Sequence, residues 1–137
     1  MSSSWQQTSA QKHLLAVRLV AAVPLVGIGA QHLLGTAPIL PILEGAGFPV
    51  PTILEWLAPT VEVIAGLLLA LGWHARPGAL LAVFSMFCAL YAHYAHDWGS
   101  EPALVLPLAV LLTSLQILLT GAGAFSVDLA QSTQRKR

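Results

Sequence analysis

The chain has 137 residues, of which 56% are hydrophobic and only 9% charged, with zero formal net charge and a mean hydropathy of +0.75. Soluble domains carry about 25% charged residues, so this composition cannot cover a water-facing surface and describes a single-domain membrane protein. The few basic residues form no patch, which excludes nucleic acid as a partner, and the lone Cys88 excludes an internal disulfide or a dithiol relay.

From the N-terminus, residues 1–13 read as a polar tail. A bilayer core about 30 Å thick takes roughly 20 mostly apolar residues per helix, and residues 14–34 supply the first such run. It is too long for a signal-peptide core and no small-x-small site closes it cleanly, so it reads as a retained span. Arg18 falls in its first turns and His32 two residues before its end. Residues 35–51 contain Pro38, Pro41, Pro49, Pro51 and three glycines. Their segment APILPILEGAGF is too apolar for a solvated loop and too broken to span, which suggests a cap lying on the outer surface.

The second span covers residues 52–73, with Gly72 marking its end, and the short HARP connection predicts that the next helix is its antiparallel neighbour. The third span covers residues 77–96, with Pro77 in its first turn, and runs into the polar stretch YAHYAHDWGSE. The fourth covers residues 102–120, opened by Pro102 and closed by Gly121. Residues 130–137 form a basic tail, of which residues 131–137 are expected to be mobile. The result is an all-α, polytopic membrane protein with a four-transmembrane-helix bundle over residues 14–129.

An even number of spans puts both termini on one side. Lys12, Arg76, Arg135, Lys136 and Arg137 fall on that side and Arg18 adjoins it, whereas Glu44, Glu55, Asp97 and Glu101 fall opposite. Positive charge is retained on the cytoplasmic face, so the termini are expected in the cytoplasm and residues 35–51 outside.

Ionisable groups within spans cost about 2.5–3.5 kcal/mol on insertion scales, and each needs a reason. Glu62 lies near the middle of the second span, on one helix face with Glu55, Pro59 and Gly66. The small Gly66 on that stripe suggests close packing and turns Glu62 inward. It reads either as a structural hydrogen bond or ion pair, with Arg18 within reach, or as a ligand- or proton-binding group. His32, His93 and His96 share a depth near the outer surface with Glu55 and Asp97. This outer cluster has three readings: an aromatic and polar interfacial belt including Trp98 and Tyr91 or Tyr94, a ligand site, or a metal or haem site. Two histidines on different helices could hold a b-type haem, but a lone pair is weak support for haem, and the ExxH pairs of di-iron bundles are absent. The reading therefore assigns no metal. Phosphate loops, GxSxG, HExxH and dinucleotide fingerprints are absent from the sequence, which leaves catalysis unassigned.

Several motifs in order resemble the DoxX family of small four-helix membrane proteins. They are Arg18 opening the first helix, GIGAQHLLG at its end, EGAGFP in the outer loop, VEVIAGLLLALGWHARPGALL across the second and third helices, a histidine near the end of the third, and GAGAFSVD after the fourth. Many members carry lysine where this chain has His32, so a fixed cation is replaced by a group that titrates near neutrality. The resemblance implies a cell (inner) membrane protein linked to quinone-dependent oxidoreductase systems, including sulfur-compound oxidation, and to oxidative-stress complexes. It points to Arg18, Glu62 and His93 or His96. The expected role is an accessory subunit of a quinone-linked redox system, with quinone as the cofactor to test and redox-complex subunits as partners. The alternative is a standalone binder or transporter of a small lipophilic molecule such as a quinone, isoprenoid or lipid.

Overall fold

The computed structural model describes residues 12–96 and 104–134. Within them the chain forms α1 (His13–Leu33), α2 (Leu40–Gly45), α3 (Pro51–Leu71), α4 (Ala75–His96), α5 (Val105–Thr120) and α6 (Val127–Gln134), with no strand among the described residues. Helices α1, α3 and α4 are long and apolar enough to cross a membrane, and α5 is a shorter apolar helix of 16 residues. At 1.5 Å per residue, a 21-residue helix is about 32 Å long, enough for the hydrocarbon core. This is the all-helical four-helix membrane bundle that the hydropathy pattern predicts.

The four long helices close into a ring. Helix α1 packs most extensively on α3 and also on α5, while α4 packs on α5 and α3. The buried seam of α1 runs through Leu14, Arg18, Ala22, Leu25 and Gly29, a spacing of four, four, three and four that keeps one face inward. Lipid is as apolar as leucine, so helices in a bilayer associate through close packing, which small residues permit. The core accordingly uses Ala21, Ala65, Ala79 and Ala82 between larger side chains such as Leu69 and Ile117. The outward surface carries Val23, Leu67, Phe84 and Leu119, exposed as lipid contact requires.

Two glycines set the distance between α1 and α3. A Cβ at Gly29 would sit 2.9 Å from Val63 Cγ2 and 3.0 Å from the Pro59 carbonyl oxygen. One at Gly66 would sit 2.7 Å from Val26 Cγ2 and 3.0 Å from the Val26 amide nitrogen. Each helix thus offers a notch to the other, as the placement of Gly66 on the Glu62 stripe suggests.

The element ends differ in detail from the sequence expectation. Gly72 adopts φ +62° and ends α3 at Leu71, so Trp73 belongs to the turn rather than to the second span. Helix α4 begins at Ala75, two residues before Pro77, and α5 begins at Val105; Pro102 lies outside the described residues. The apolar cap contains the short helix α2, which packs on α3 and α4 and buries Leu43. Helix α6 runs from Val127 to Gln134 and so takes in residues 131–134 of the segment read as a tail. Its start is tied to the α3–α4 turn through Asp128.

The glycine notches give a direct test. Gly29→Val should lower unfolding stability in detergent by about 1–3 kcal/mol, the usual cost of overpacking. Gly27→Ala, where a Cβ meets nothing within 4 Å, should leave stability unchanged or slightly raised. Equal behaviour of the two variants would refute the notch.

Candidate functional site

Two polar centres lie within the bundle, one toward the face that bears the termini and one toward the opposite, far face.

The first is built on Arg18, which is only 1% exposed. Its Nη1 donates to the Ala122 carbonyl at 2.9 Å and its Nη2 to the Phe125 carbonyl at 3.2 Å. Both acceptors belong to the GAGAFS turn after α5, where Gly121, Gly123 and Phe125 all have positive φ. Gly72 is needed here twice over, for its left-handed φ and because a Cβ would lie 2.5 Å from Arg18 Nη1 and from Ser126 Cβ. Ser126 caps α6 by accepting from the Leu129 amide at 3.2 Å while donating to the Gly123 carbonyl at 2.7 Å. Asp128, within electrostatic reach of Arg18, accepts from the His74 and Ala75 amides at 2.8 and 2.9 Å. Those amides open α4, where a carboxylate favourably meets the helix dipole. The Asp128 amide in turn donates to the Gly72 carbonyl at 3.0 Å. The GAGAFSVD segment is thus a clamp that ties α1, the α3–α4 turn and α6 together.

The second centre is built on Glu62, half-buried on α3. Ser85, buried on α4, donates its hydroxyl to Glu62 Oε1 at 2.9 Å. Helix α1 approaches closely beside it, since a Cβ at Gly29 would lie 3.2 Å from Glu62 Cβ. His32 follows Gly29 by three residues on the same helix face and lies within electrostatic reach of Glu62. Its Nδ1 stands 2.5 Å from the Ala37 carbonyl oxygen. A carbonyl can only accept, so Nδ1 carries the proton, and in the neutral ring Nε2 is an acceptor.

The cap closes over this end. Tyr91 donates to the Ala46 carbonyl at 3.4 Å and meets Phe48 edge to face, with ring centroids 5.4 Å apart. Of the two tyrosines proposed for the interfacial belt, Tyr91 therefore fastens the cap, while Tyr94 is 88% exposed and points outward.

The sequence-derived candidates thus separate. Glu62 and His32 are brought near one another. Glu55 is half-buried seven residues before Glu62 on α3, and His93 is half-buried on α4. His96 closes α4, and its side chain lies outside the described residues, as do Asp97, Trp98 and Glu101. The Arg18–Glu62 ion pair is corrected: Arg18 is turned to the clamp and Glu62 to Ser85, because the guanidinium finds carbonyls within one side-chain length at its own end of the bundle. Sequence reasoning missed Ser85, whose only signal is a hydroxyl within the apolar run VFSMF. It also missed Asp128 as a capping residue, although the residue sits in a motif that was singled out.

The two centres should therefore act independently. Arg18→Gln should lower stability by about 3 kcal/mol, through loss of charged hydrogen bonds to two buried carbonyls. Combined with Glu62→Gln, the losses should add within about 0.5 kcal/mol, as for sites without shared partners. A double-mutant cycle showing strong coupling would contradict the separation.

Comparison with known proteins fits this architecture. The family profile named DoxX matches residues 13–95, from the start of α1 nearly to the end of α4. The chain is also similar to the inner membrane protein YphA of Escherichia coli (strain K12), at 27% identity over 124 residues, covering 84% of this chain and 87% of that protein. No solved structure matches it.

Proposed function

The chain belongs to the DoxX family, and from that premise we propose that it is an inner-membrane accessory subunit of a quinone-linked redox system that holds a lipophilic ligand by its polar head. The observation that carries this reading is the meeting of Glu62, Ser85 and His32, from three helices, inside an otherwise apolar bundle. Small-molecule sites have this character, mainly apolar with a few converging polar groups.

The chemistry fits a hydroxyl-bearing headgroup. Ser85 occupies Glu62 Oε1, which leaves Oε2 to accept from a ligand hydroxyl. His32, with its proton held on Nδ1 by Ala37, offers Nε2 as a second acceptor. A quinol presents hydroxyls at opposite ends of its ring and would suit two acceptors, while its tail would remain among apolar side chains. His93 and Glu55, nearer the far face, would line the approach beneath the cap formed by α2. The bound quinone would supply the electron chemistry; the chain's own residues would bind and orient it.

A standalone binder of a quinone, isoprenoid or lipid is the second reading, favoured by a site built wholly from this chain. Purification in mild detergent separates them: co-purifying redox subunits support the accessory role, and ligand without subunits supports the standalone one. The positive-inside distribution further supports cytoplasmic termini. A cysteine replacing Thr36 should react with an impermeant reagent from outside the cell and one replacing Gln131 should not; the reverse pattern would overturn the orientation.

For the site itself, Glu62→Gln and His32→Ala should each weaken binding of a ubiquinol analogue in nanodiscs about tenfold or more, as loss of a charged or buried hydrogen bond requires. Tyr94→Phe should leave binding unchanged. Wild-type affinity in both site variants would remove the reading.

A further inference from the structure

Gly29 and Glu62 stand at one level, since a Cβ at Gly29 would lie 3.2 Å from Glu62 Cβ. Outward from that level α1 runs four more residues to Leu33, about 6 Å, whereas α3 reaches eleven residues to Pro51, about 16 Å. Helix α3 thus overtops α1 by about 10 Å, and residues 34–50 fill the step. Helix α2, within them, packs on α3 and α4, the two helices that carry Glu62 and Ser85.

This segment is lightly held. Of its residues only Leu43 and Ala46 are buried, and segments with few buried contacts lie at the low end of local stability. Two side chains of the bundle reach up to fasten it. His32 donates from Nδ1 to the Ala37 carbonyl, and Tyr91 donates to the Ala46 carbonyl beside its edge-to-face contact with Phe48. At 3.4 Å the Tyr91 bond is long, against about 2.8 Å for most hydroxyl donors. The ends of the segment are also suited to movement. Val50 closes it at φ +48°, a left-handed conformation that a β-branched residue keeps only under constraint from its surroundings. Gly35 opens it at φ +71°, and a Cβ there would meet nothing within 4 Å. Residues at such ends absorb the backbone rotation of a moving lid.

We propose, resting on the ligand reading of the Glu62 centre, that residues 36–48 are a lid that opens to admit the lipophilic ligand and that His32 tightens when the ligand is bound. The imidazole serves both partners. Its Nδ1–H holds the lid at Ala37, and its Nε2 is the acceptor for the ligand hydroxyl. A proton donor at Nε2 draws electron density through the ring and makes Nδ1–H a stronger donor. An occupied site therefore holds the lid more firmly. Such coupling is reciprocal, so a closed lid retains the ligand more tightly. Tyr91 is the latch at the other end. It bonds to the lid and not to Glu62, Ser85 or His32, so the lid can be loosened without touching the ligand's own partners.

Thiol labelling of the full chain in nanodiscs tests the lid. In a Cys88→Ala background, Leu43→Cys reports lid opening, and Ser114→Cys, fully buried on α5, reports loosening of the whole bundle. Tyr91→Ala should speed maleimide labelling at position 43 about five- to tenfold, the worth of one hydrogen bond and one ring contact. Tyr91→Phe, which keeps the ring, should speed it about two- to threefold. Position 114 should stay unreactive in both. A saturating ubiquinol analogue should slow labelling at position 43 when Tyr91 is intact, and Tyr91→Ala should speed release of the analogue by about the factor that it opens the lid. Unchanged labelling in both Tyr91 variants, or equal gains at positions 43 and 114, would overturn the lid. A bound analogue that leaves labelling unaltered would overturn the coupling through His32. A lid that opens as expected in a protein that binds no analogue would instead remove the ligand reading, and with it the lid's purpose.

Discussion

A guanidinium enclosed in a membrane bundle has to be answered by acceptors that the bundle itself supplies, because neither lipid nor distant water can do so. Arg18 is answered by main-chain carbonyls. That choice shapes one whole end of the molecule. The carbonyls of Ala122 and Phe125 converge on one side chain only because the turn after α5 bends through positive φ at Gly121, Gly123 and Phe125. The bend brings Ser126 and Asp128 under the α3–α4 turn, where Asp128 caps α4. One buried cation thus fixes the ends of α1, α3, α4 and α5 relative to one another.

The other end of α1 is set by packing rather than by that charge. Arg18 and His32 are fourteen residues apart, close to four turns and about 21 Å. Between them the buried Gly29 lets α3 approach, since a Cβ there would lie 3.2 Å from Glu62 Cβ. His32, half-buried on the next turn, lies within electrostatic reach of the carboxylate. A structural charge at one surface and a candidate ligand site near the other therefore share a helix but no partner.

Much of this was legible in the sequence because hydropathy, proline and glycine each have one dominant physical meaning in a membrane. The long apolar runs could only be spans, Gly72 and Gly121 could end helices, and Gly66 beside Glu62 indicated close packing. The partners of the charges were not legible. Sequence places Arg18 and Glu62 on neighbouring helices, but whether a long side chain reaches across or back depends on where backbone carbonyls turn inward. Those carbonyls belong to every residue alike and leave no mark in composition. Ser85 was hidden for a related reason: one hydroxyl in an apolar helix most often bonds to its own backbone, as Thr60 and Thr113 do here. Helix α6 was obscured by its polar composition, which resembles a tail until its caps are known.

The order of synthesis gives the Arg18 clamp a further meaning. Chains emerge N-terminus first, so α1 enters the bilayer more than a hundred residues before Ala122 and Phe125 exist to receive its guanidinium. Until then the cation is an unanswered charge in a nascent helix, held near the surface by the length of its side chain. Completion of the last span and its turn lets Arg18 settle and the ring close. A chain cut short before the GAGAFS turn would carry a charge in its first helix without the two carbonyls that receive it here.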